Sequence, residues 1–363
     1  VDDIRKRILM VSDVKGWGGW KRAEMIKKYL SDEFRFDLVD GTEFNDYERN
    51  STPNVFNKDD LEEYTSNIKP SDRNFLNINH FKHWINNERI RKEYDLIYLL
   101  FHLMLTKKSV NRLLNRGSKL VTIVTVFPTV RLGFINNGAS VGVGTYNGGR
   151  KLFLSKANKC QAIFSNNIKS LKDLKSMYKG PTYYLPRGVS PEIFYPTSDE
   201  FVKKPKEKFT VAFCGKSNPE KGLKKYIIPA CQEAGVKLII NERNFTNALP
   251  EKKMRNFYNK ADAYIVASTM DGTPNTALEA AACGKPILSN QIGNMPEFIK
   301  KRKNGFLIPL EVKKYTNRLR WMANNQRKTW EMGLEARKTI LESWTWEKVL
   351  ENERGAFRKI LGG

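Results

Sequence analysis

Residues 263–284 read AYIVASTMDGTPNTALEAAACG. The opening residues, 263–267, are a short apolar run, the pattern of a strand buried on both faces of a parallel sheet. A turn follows at Met270-Asp271-Gly272. Thr273 then suits a helix cap, and Pro274 the first helical position, where a missing N–H is no loss. Gly284 fits the left-handed residue just past a helix end. Strand, turn and helix in this order form one unit of a doubly wound α/β sheet. The unit carries two carboxylates, Asp271 at the helix mouth and Glu279 about a turn and a half further in. With seven residues between them, they can address two ends of one ligand. They also read as a surface aspartate and a helix acid. Three alanines directly after Glu279 favour close packing beneath a ligand over a solvated face.

The same punctuation recurs outward from this segment. Residues 209–214 (FTVAFC) form an apolar run that leads into Gly215-Lys216-Ser217-Asn218-Pro219-Glu220-Lys221-Gly222. Asn218 suits an N-cap and Pro219 a first helical residue, so free N–H groups and a positive helix end would face a ligand. Lys216 and Lys221 flank that point and could clamp a diphosphate. They read equally well as two solvated lysines. Runs at 236–240 and 286–289 continue the series. Residues 185–194 (LPRGVSPEIF) are turn-rich and read as a linker. Before it, residues 7–13 (RILMVSD) predict a strand, Gly16-Trp17-Gly18-Gly19 a turn, and residues 20–30 a helix. Further strands are expected at 95–101, 120–127 and 160–165. Residues 41–75 are polar and predict a long connection or insertion. The glycine-rich stretch 136–149 predicts a mobile loop. The expected architecture is α/β, with two Rossmann-like doubly wound domains across a cleft: residues 1–190, residues 191–340, and a closing helix over 341–363.

Charge points to an anionic partner. Among 363 residues, 63 are basic and 39 acidic, a net charge of +24. The excess is uneven: residues 96–191 hold 15 basic residues and a single acid, Asp173. A block this one-sided predicts a basic face. Hydrophobic residues at 40% exclude disorder over most of the chain. The four cysteines, Cys160, Cys214, Cys231 and Cys283, have no metal-type spacing and fit a reducing compartment. The longest apolar run, residues 96–105, is interrupted by His102 and is about half a membrane span. The start, Val1-Asp2-Asp3-Ile4, lacks the regions of a signal peptide. A cytoplasmic chain is expected, peripheral to a membrane or DNA if associated with either.

Together these segments resemble the retaining nucleotide-sugar glycosyltransferases of family 4, which have the GT-B fold. The resemblance is carried by Lys216 and Lys221 in a glycine-rich strand exit, by Asp271 and Glu279 in place of two spaced glutamates, and by Arg187-Gly188-Val189-Ser190-Pro191-Glu192-Ile193-Phe194 in the linker. Phe257-Tyr258-Asn259-Lys260-Ala261-Asp262 and the closing segment from Trp344-Thr345-Trp346-Glu347 add to it. It covers residues 185–360 well and residues 1–184 in outline.

The resemblance implies transfer of a sugar from a nucleotide-diphosphate donor, with retention, no metal, no cofactor, and UDP as the expected carrier. It implies that Glu279 holds the donor ribose and Asp271 the transferred sugar. Lys216 and Lys221 would stabilise the leaving diphosphate, the main catalytic effect expected here. Gly18, Gly19, Gly215 and the amides of Gly272 and Thr273 would complete the donor site. A histidine that such enzymes often place near the sugar is missing after residues 120–127; His102 is the nearest candidate. The first domain would bind the acceptor through Lys107, Lys108, Arg112, Arg131, Arg150 and Lys151. An envelope glycan or lipid carrier on an anionic surface is the expected acceptor. The alternatives are a hydroxylated base in duplex DNA, which would have to leave the stack, and a non-catalytic nucleic-acid-binding relic of the fold.

Overall fold

The computed structural model describes residues 4–12, 18–40, 94–100, 119–124, 135–136, 139–140, 155–197, 208–216, 218–242 and 249–362. The chain divides into two compact units. The first takes Val1–Ser165, Ser170–Leu185 and Asn352–Gly363; the second takes Asn166–Lys169 and Pro186–Glu351.

The first unit is built on a parallel sheet of β1 (Arg7–Ser12), β2 (Arg35–Asp40), β3 (Leu96–Leu99) and β4 (Leu120–Val124). A separate antiparallel pair, β5 (Ile135–Asn136) with β6 (Ala139–Ser140), lies within the glycine-rich stretch. β7 (Ala162–Ser165) and β8 (Thr182–Tyr184) complete the six-stranded sheet, in the order β2-β1-β3-β4-β7-β8. β3, β4 and β7 are buried along their length and β1 from Ile8 on, as their mostly apolar runs require. β2 was hidden by its alternating RFDLVD, where Asp37 accepts Arg7 Nη2 at 2.9 Å. The first helix is Gly18–Leu30, so Gly18 and Gly19 open the helix instead of forming the expected turn before it. The first turn of a helix needs no intrahelical N–H acceptors, so small residues are tolerated there.

That helix buries a charge. Arg22 is 4% exposed and its Nε donates to Glu353 Oε1 at 2.6 Å; Glu353 is fully buried. Glu353 sits on the closing helix Trp346–Leu361. Arg22 Nη2 also donates to the Leu185 carbonyl at 3.1 Å. One guanidinium therefore ties the first helix, the closing helix and the exit of β8 together. Phe357, one turn beyond Glu353, packs edge-on to Phe34 and Tyr98, with ring centroids 5.6 and 6.0 Å away.

The second unit repeats the plan with β9 (Thr210–Gly215), β10 (Lys237–Glu242), β11 (Ala263–Ile265), β12 (Ile287–Ser289) and β13 (Gly305–Leu307). All are parallel, in the order β10-β9-β11-β12-β13. Helices Glu251–Asn259 and Asn275–Ala282 contribute to the core on one face. Helices Ile228–Ala234 and Val312–Asn324 contribute to the core on the other. The chain runs outward from β9 to β10 and then returns to β11. The strand order thus reverses between β9 and β11, the place where such sheets bind ligands. Among the described residues no helix is long and apolar enough to cross a membrane.

Candidate active site

The carboxyl ends of β9 and β11 bring together the residues singled out on the two turns. After β9, Pro219–Lys221 form one 3-10 turn, closed by Gly222 in the left-handed region at φ 68°. The longer helical segment starts beyond Gly222. Pro219 is the first helical residue, as expected, but Asn218 does not cap with its side chain; its amide donates to Glu220 Oε1 at 2.9 Å. The expected helix tip is a single tight turn because Gly222 reverses the backbone. A Cβ at Gly222 would lie 2.1 Å from the Ala267 carbonyl, so this turn sits directly on the chain leaving β11. Thr269 N–H donates to the Glu220 carbonyl at 2.8 Å, which fixes the two turns side by side.

That contact sets the central pair. Lys221 Nζ donates to Asp271 Oδ2 at 2.6 Å, with side chains 25% and 15% exposed. Asp271 Oδ1 accepts the Thr273 N–H at 3.2 Å, so this amide is held by the aspartate. Lys216, just past β9, has its pKa pulled down, first by burial and then by repulsion from Lys221, with Glu220 opposing. A partly buried ammonium that feels a second positive charge favours an anion beside it.

The helix after Asp271 departs from expectation at its start. It runs Asn275–Ala282 with Pro274 as the capping residue, and Thr273 makes no cap. Proline fixes its own φ but lies one position earlier than expected, outside the helix. The Thr273 hydroxyl is shut off from water and has no partner among the described residues. The helix end matches the reading: Gly284 is left-handed at φ 72°.

Glu279 is held by a residue for which the sequence suggested no role. Tyr258 Oη donates to Glu279 Oε2 at 2.6 Å. Tyr258 is fully buried; burial first, then the Glu279 charge, push its pKa well up, so it stays a donor. Tyr264 plays a matching part, donating to Thr276 Oγ1 at 2.6 Å and accepting the Cys214 N–H at 3.1 Å. Tyr258 thus ties the helix bearing Glu279 to helix Glu251–Asn259, and Tyr264 ties it to the end of β9. Their signal lay in the FYNKADAY stretch, which puts aromatic hydroxyls on the helix and strand beneath the carboxylate.

The loop after β12 is a second feature missed in the sequence. Gly293 has φ 52°, and a Cβ there would be 2.5 Å from the Gly272 carbonyl. Asn290 Nδ2 donates to the Ser268 carbonyl at 2.8 Å, and Asn167 Nδ2 to that of Gly272 at 3.3 Å. The carbonyls around Asp271 are thus pinned from two sides. Gly215 ends β9, one residue past the expected strand end at Cys214, with Phe213 packed close beneath it. Gly18 and Gly19 belong to the first unit. His102, Lys107, Lys108, Arg112, Arg131, Arg150 and Lys151 lie outside the described residues.

The four cysteines are buried and outside any disulfide. Burial raises the thiols of Cys160, Cys231 and Cys283 to about 12, which removes them as nucleophiles at neutral pH.

The family model for glycosyl transferases group 1 matches residues 200–339, the segment that holds both turns. An uncharacterised glycosyltransferase of Methanocaldococcus jannaschii is 23% identical over 140 residues, 38% of this chain and 34% of its own. The matched segment spans about a third of the length of the curated relatives. Among solved structures, sucrose-phosphate synthase from Thermosynechococcus elongatus superposes with a TM-score of 0.70 at 15% identity, over 99% of this chain and 100% of its own. The HepE protein of Anabaena, solved in complex with UDP, gives a TM-score of 0.65 at 16% identity, over 98% and 100%. The fold of the chain is GT-B, with two parallel-sheet Rossmann-like domains.

Proposed function

We propose that the chain is a glycosyltransferase that takes a sugar from a nucleotide-diphosphate donor held in the second unit. One observation carries this reading: Lys216, Lys221 and Asp271 converge at the strand-order reversal, inside the segment matched by the glycosyl transferases group 1 model. Glu279 binds the donor ribose, an oriented acceptor of two hydroxyl hydrogens. Asp271 binds hydroxyls of the transferred sugar while keeping Lys221 in place. UDP as the carrier is supported by its presence in a structural neighbour.

In the reaction, the bond between the anomeric carbon and the diphosphate breaks, and its electron pair leaves with the diphosphate. The acceptor oxygen bonds to that carbon, with retention, and its proton passes to the departing phosphate, which gains basicity as it leaves. Charge grows on the diphosphate, beside the two ammonium groups. Preorganised cations act most strongly where charge develops. Because these lysines supply that charge, we propose a metal-independent reaction. Turnover is expected to be unchanged after dialysis against a chelator, and a loss restored by magnesium or manganese would refute this part.

The basic block 96–191 supports an anionic acceptor, or an acceptor on an anionic surface. The direct test is sugar transfer from a panel of nucleotide sugars to lipid-linked, glycan and hydroxylated-DNA acceptors. Transfer to none, with no donor hydrolysis, would end the proposal.

Tyr258→Phe tests how Glu279 is held. Removing a donor to this partly buried carboxylate costs about 1.5–3 kcal/mol. The KM for the donor should rise about tenfold or more while kcat changes little, because the ribose is gripped alike in ground and transition states. An equal fall in kcat and kcat/KM would instead place Tyr258 in the chemical step.

A further inference from the structure

At the opposite end of the second sheet lies a second concavity that the proposed reaction does not use. The donor turns leave the carboxyl ends of β9 and β11. Arg302 and Lys303 precede the amino end of β13, which is parallel to both. A hollow of about 680 Å³ opens there between this turn and helices Val312–Asn324 and Gln326–Thr339. Its volume is that of a small-molecule site.

The lining sets Arg302, Lys303, Arg318 and Lys328 against two carboxylates, Glu335 and Glu331, the latter paired with Arg327 at 3.2 Å, over an aromatic floor. Arg318 lies over the ring of Phe306, its guanidinium carbon 4.2 Å from the ring centroid, and 5.7 Å from that of Trp321. The two rings meet edge to face at 5.4 Å. Arg302 and Lys328 complete the cationic rim. Lys303 is neutralised by Glu335 at 3.2 Å. Among the described residues, Arg302, Arg318 and Lys328 have no carboxylate partner. Arg318 Nε is shut off from water with no acceptor among those residues. Burial, then repulsion from Arg302, lowers the Arg318 pKa. Arg318, held over the Phe306 ring with its Nε unsatisfied, leaves its charge complement to a ligand.

The backbone adds an independent sign. Arg302 is the only non-glycine among the described residues with positive φ, at 61°. Its N–H donates to the Gly305 carbonyl in a tight turn. Glycine would occupy this conformation without strain, yet an arginine stands there.

We propose that this hollow binds a phosphate ester of a small ring compound, with the phosphate on Arg302, Arg318 and Lys328 and the ring against Trp321. Guanidinium pairs match phosphate oxygens in geometry as well as charge, and a stacked aromatic provides an apolar wall for the ring. The concave shape and buried floor favour a small ligand over a flat polyanion.

Titration calorimetry with glucose 6-phosphate, ribose 5-phosphate and inorganic phosphate tests it, with unphosphorylated glucose as the control. The esters should bind, inorganic phosphate more weakly, and glucose not at all. Arg302→Gly relieves the left-handed strain, so the variant should unfold at the same temperature or higher. It should nevertheless bind the esters about tenfold or more weakly, the effect of losing one charge-assisted contact. Lys221→Ala should leave this binding unchanged, which separates it from the donor site. The proposal is overturned if no ester binds, if Arg302→Gly binds as tightly as the parent, if Lys221→Ala abolishes the binding, or if only anionic vesicles or duplex DNA associate through this face.

Discussion

Lys221→Ala is expected to lower turnover by about 10²–10³-fold, the range seen when one preorganised stabiliser of developing charge is removed. Lys221 acts in two ways. It offers an ammonium to the leaving diphosphate, and it holds Asp271 at 2.6 Å. Removing it loses the first and frees the second. Because the lysine and aspartate keep 25% and 15% of their exposure, water can solvate the orphaned carboxylate. The fold should therefore survive, with an unchanged far-UV spectrum and a small shift in urea midpoint. Asp271→Asn separates the two effects. It keeps the side-chain shape and the ammonium but loses the ionic partner, so its turnover should fall less than that of Lys221→Ala. If Lys221→Ala turns over at the parental rate, the diphosphate is not stabilised at this turn.

The largest effect on stability is expected from Arg22→Ala. This change leaves the fully buried Glu353 without its cation. Breaking a buried pair from one side costs about 3–5 kcal/mol, more than the pair contributes over an apolar replacement. Replacing Arg22 with Met and Glu353 with Leu together should therefore restore most of the loss. The cost also depends on pH. Burial raises the Glu353 carboxyl to about 7, against the opposing pull of Arg22. An unfolded glutamate titrates near about 4.3. Between these values the folded chain keeps a proton that the unfolded chain has lost. Stability from this site is therefore full below the unfolded value and falls as pH rises through the folded one. Urea midpoints should decline from pH 5.5 to pH 8, and Glu353→Gln should flatten that slope. The penalty of Arg22→Ala should be smaller at pH 5.5, where the orphaned carboxyl takes up a proton. A midpoint that climbs with pH and stays insensitive to Glu353→Gln would overturn this.

The fold was legible where strands are buried on both faces. Residues 263–265 are apolar throughout and 120–124 are broken only by Thr122, and both lie in strands. β2 escaped because Asp37 and Arg35 broke its apolar run. β13, only Gly305–Leu307, is too short to show any period. Residues that meet across long sequence separations were invisible for another reason. Arg22 and Glu353 are 331 positions apart, and no local pattern marks an arginine for burial. In the candidate site, Lys216, Lys221, Asp271 and Glu279 were readable because each lies on or just before a helix that follows a strand end. The supports were not. Tyr258 looks like any amphipathic-helix aromatic until its hydroxyl is seen on Glu279. Propensity favours threonine as a cap at Thr273, whereas the helix starts at Asn275 with Pro274 in the capping position.

The most direct test of the donor site is a calorimetric titration of nucleoside diphosphates into the parent chain and into the Lys221→Ala, Glu279→Ala double variant. The account predicts that one of them, UDP first, binds the parent and is lost from the double variant, while both proteins stay folded. Equal binding to both, or none to the parent, would contradict it.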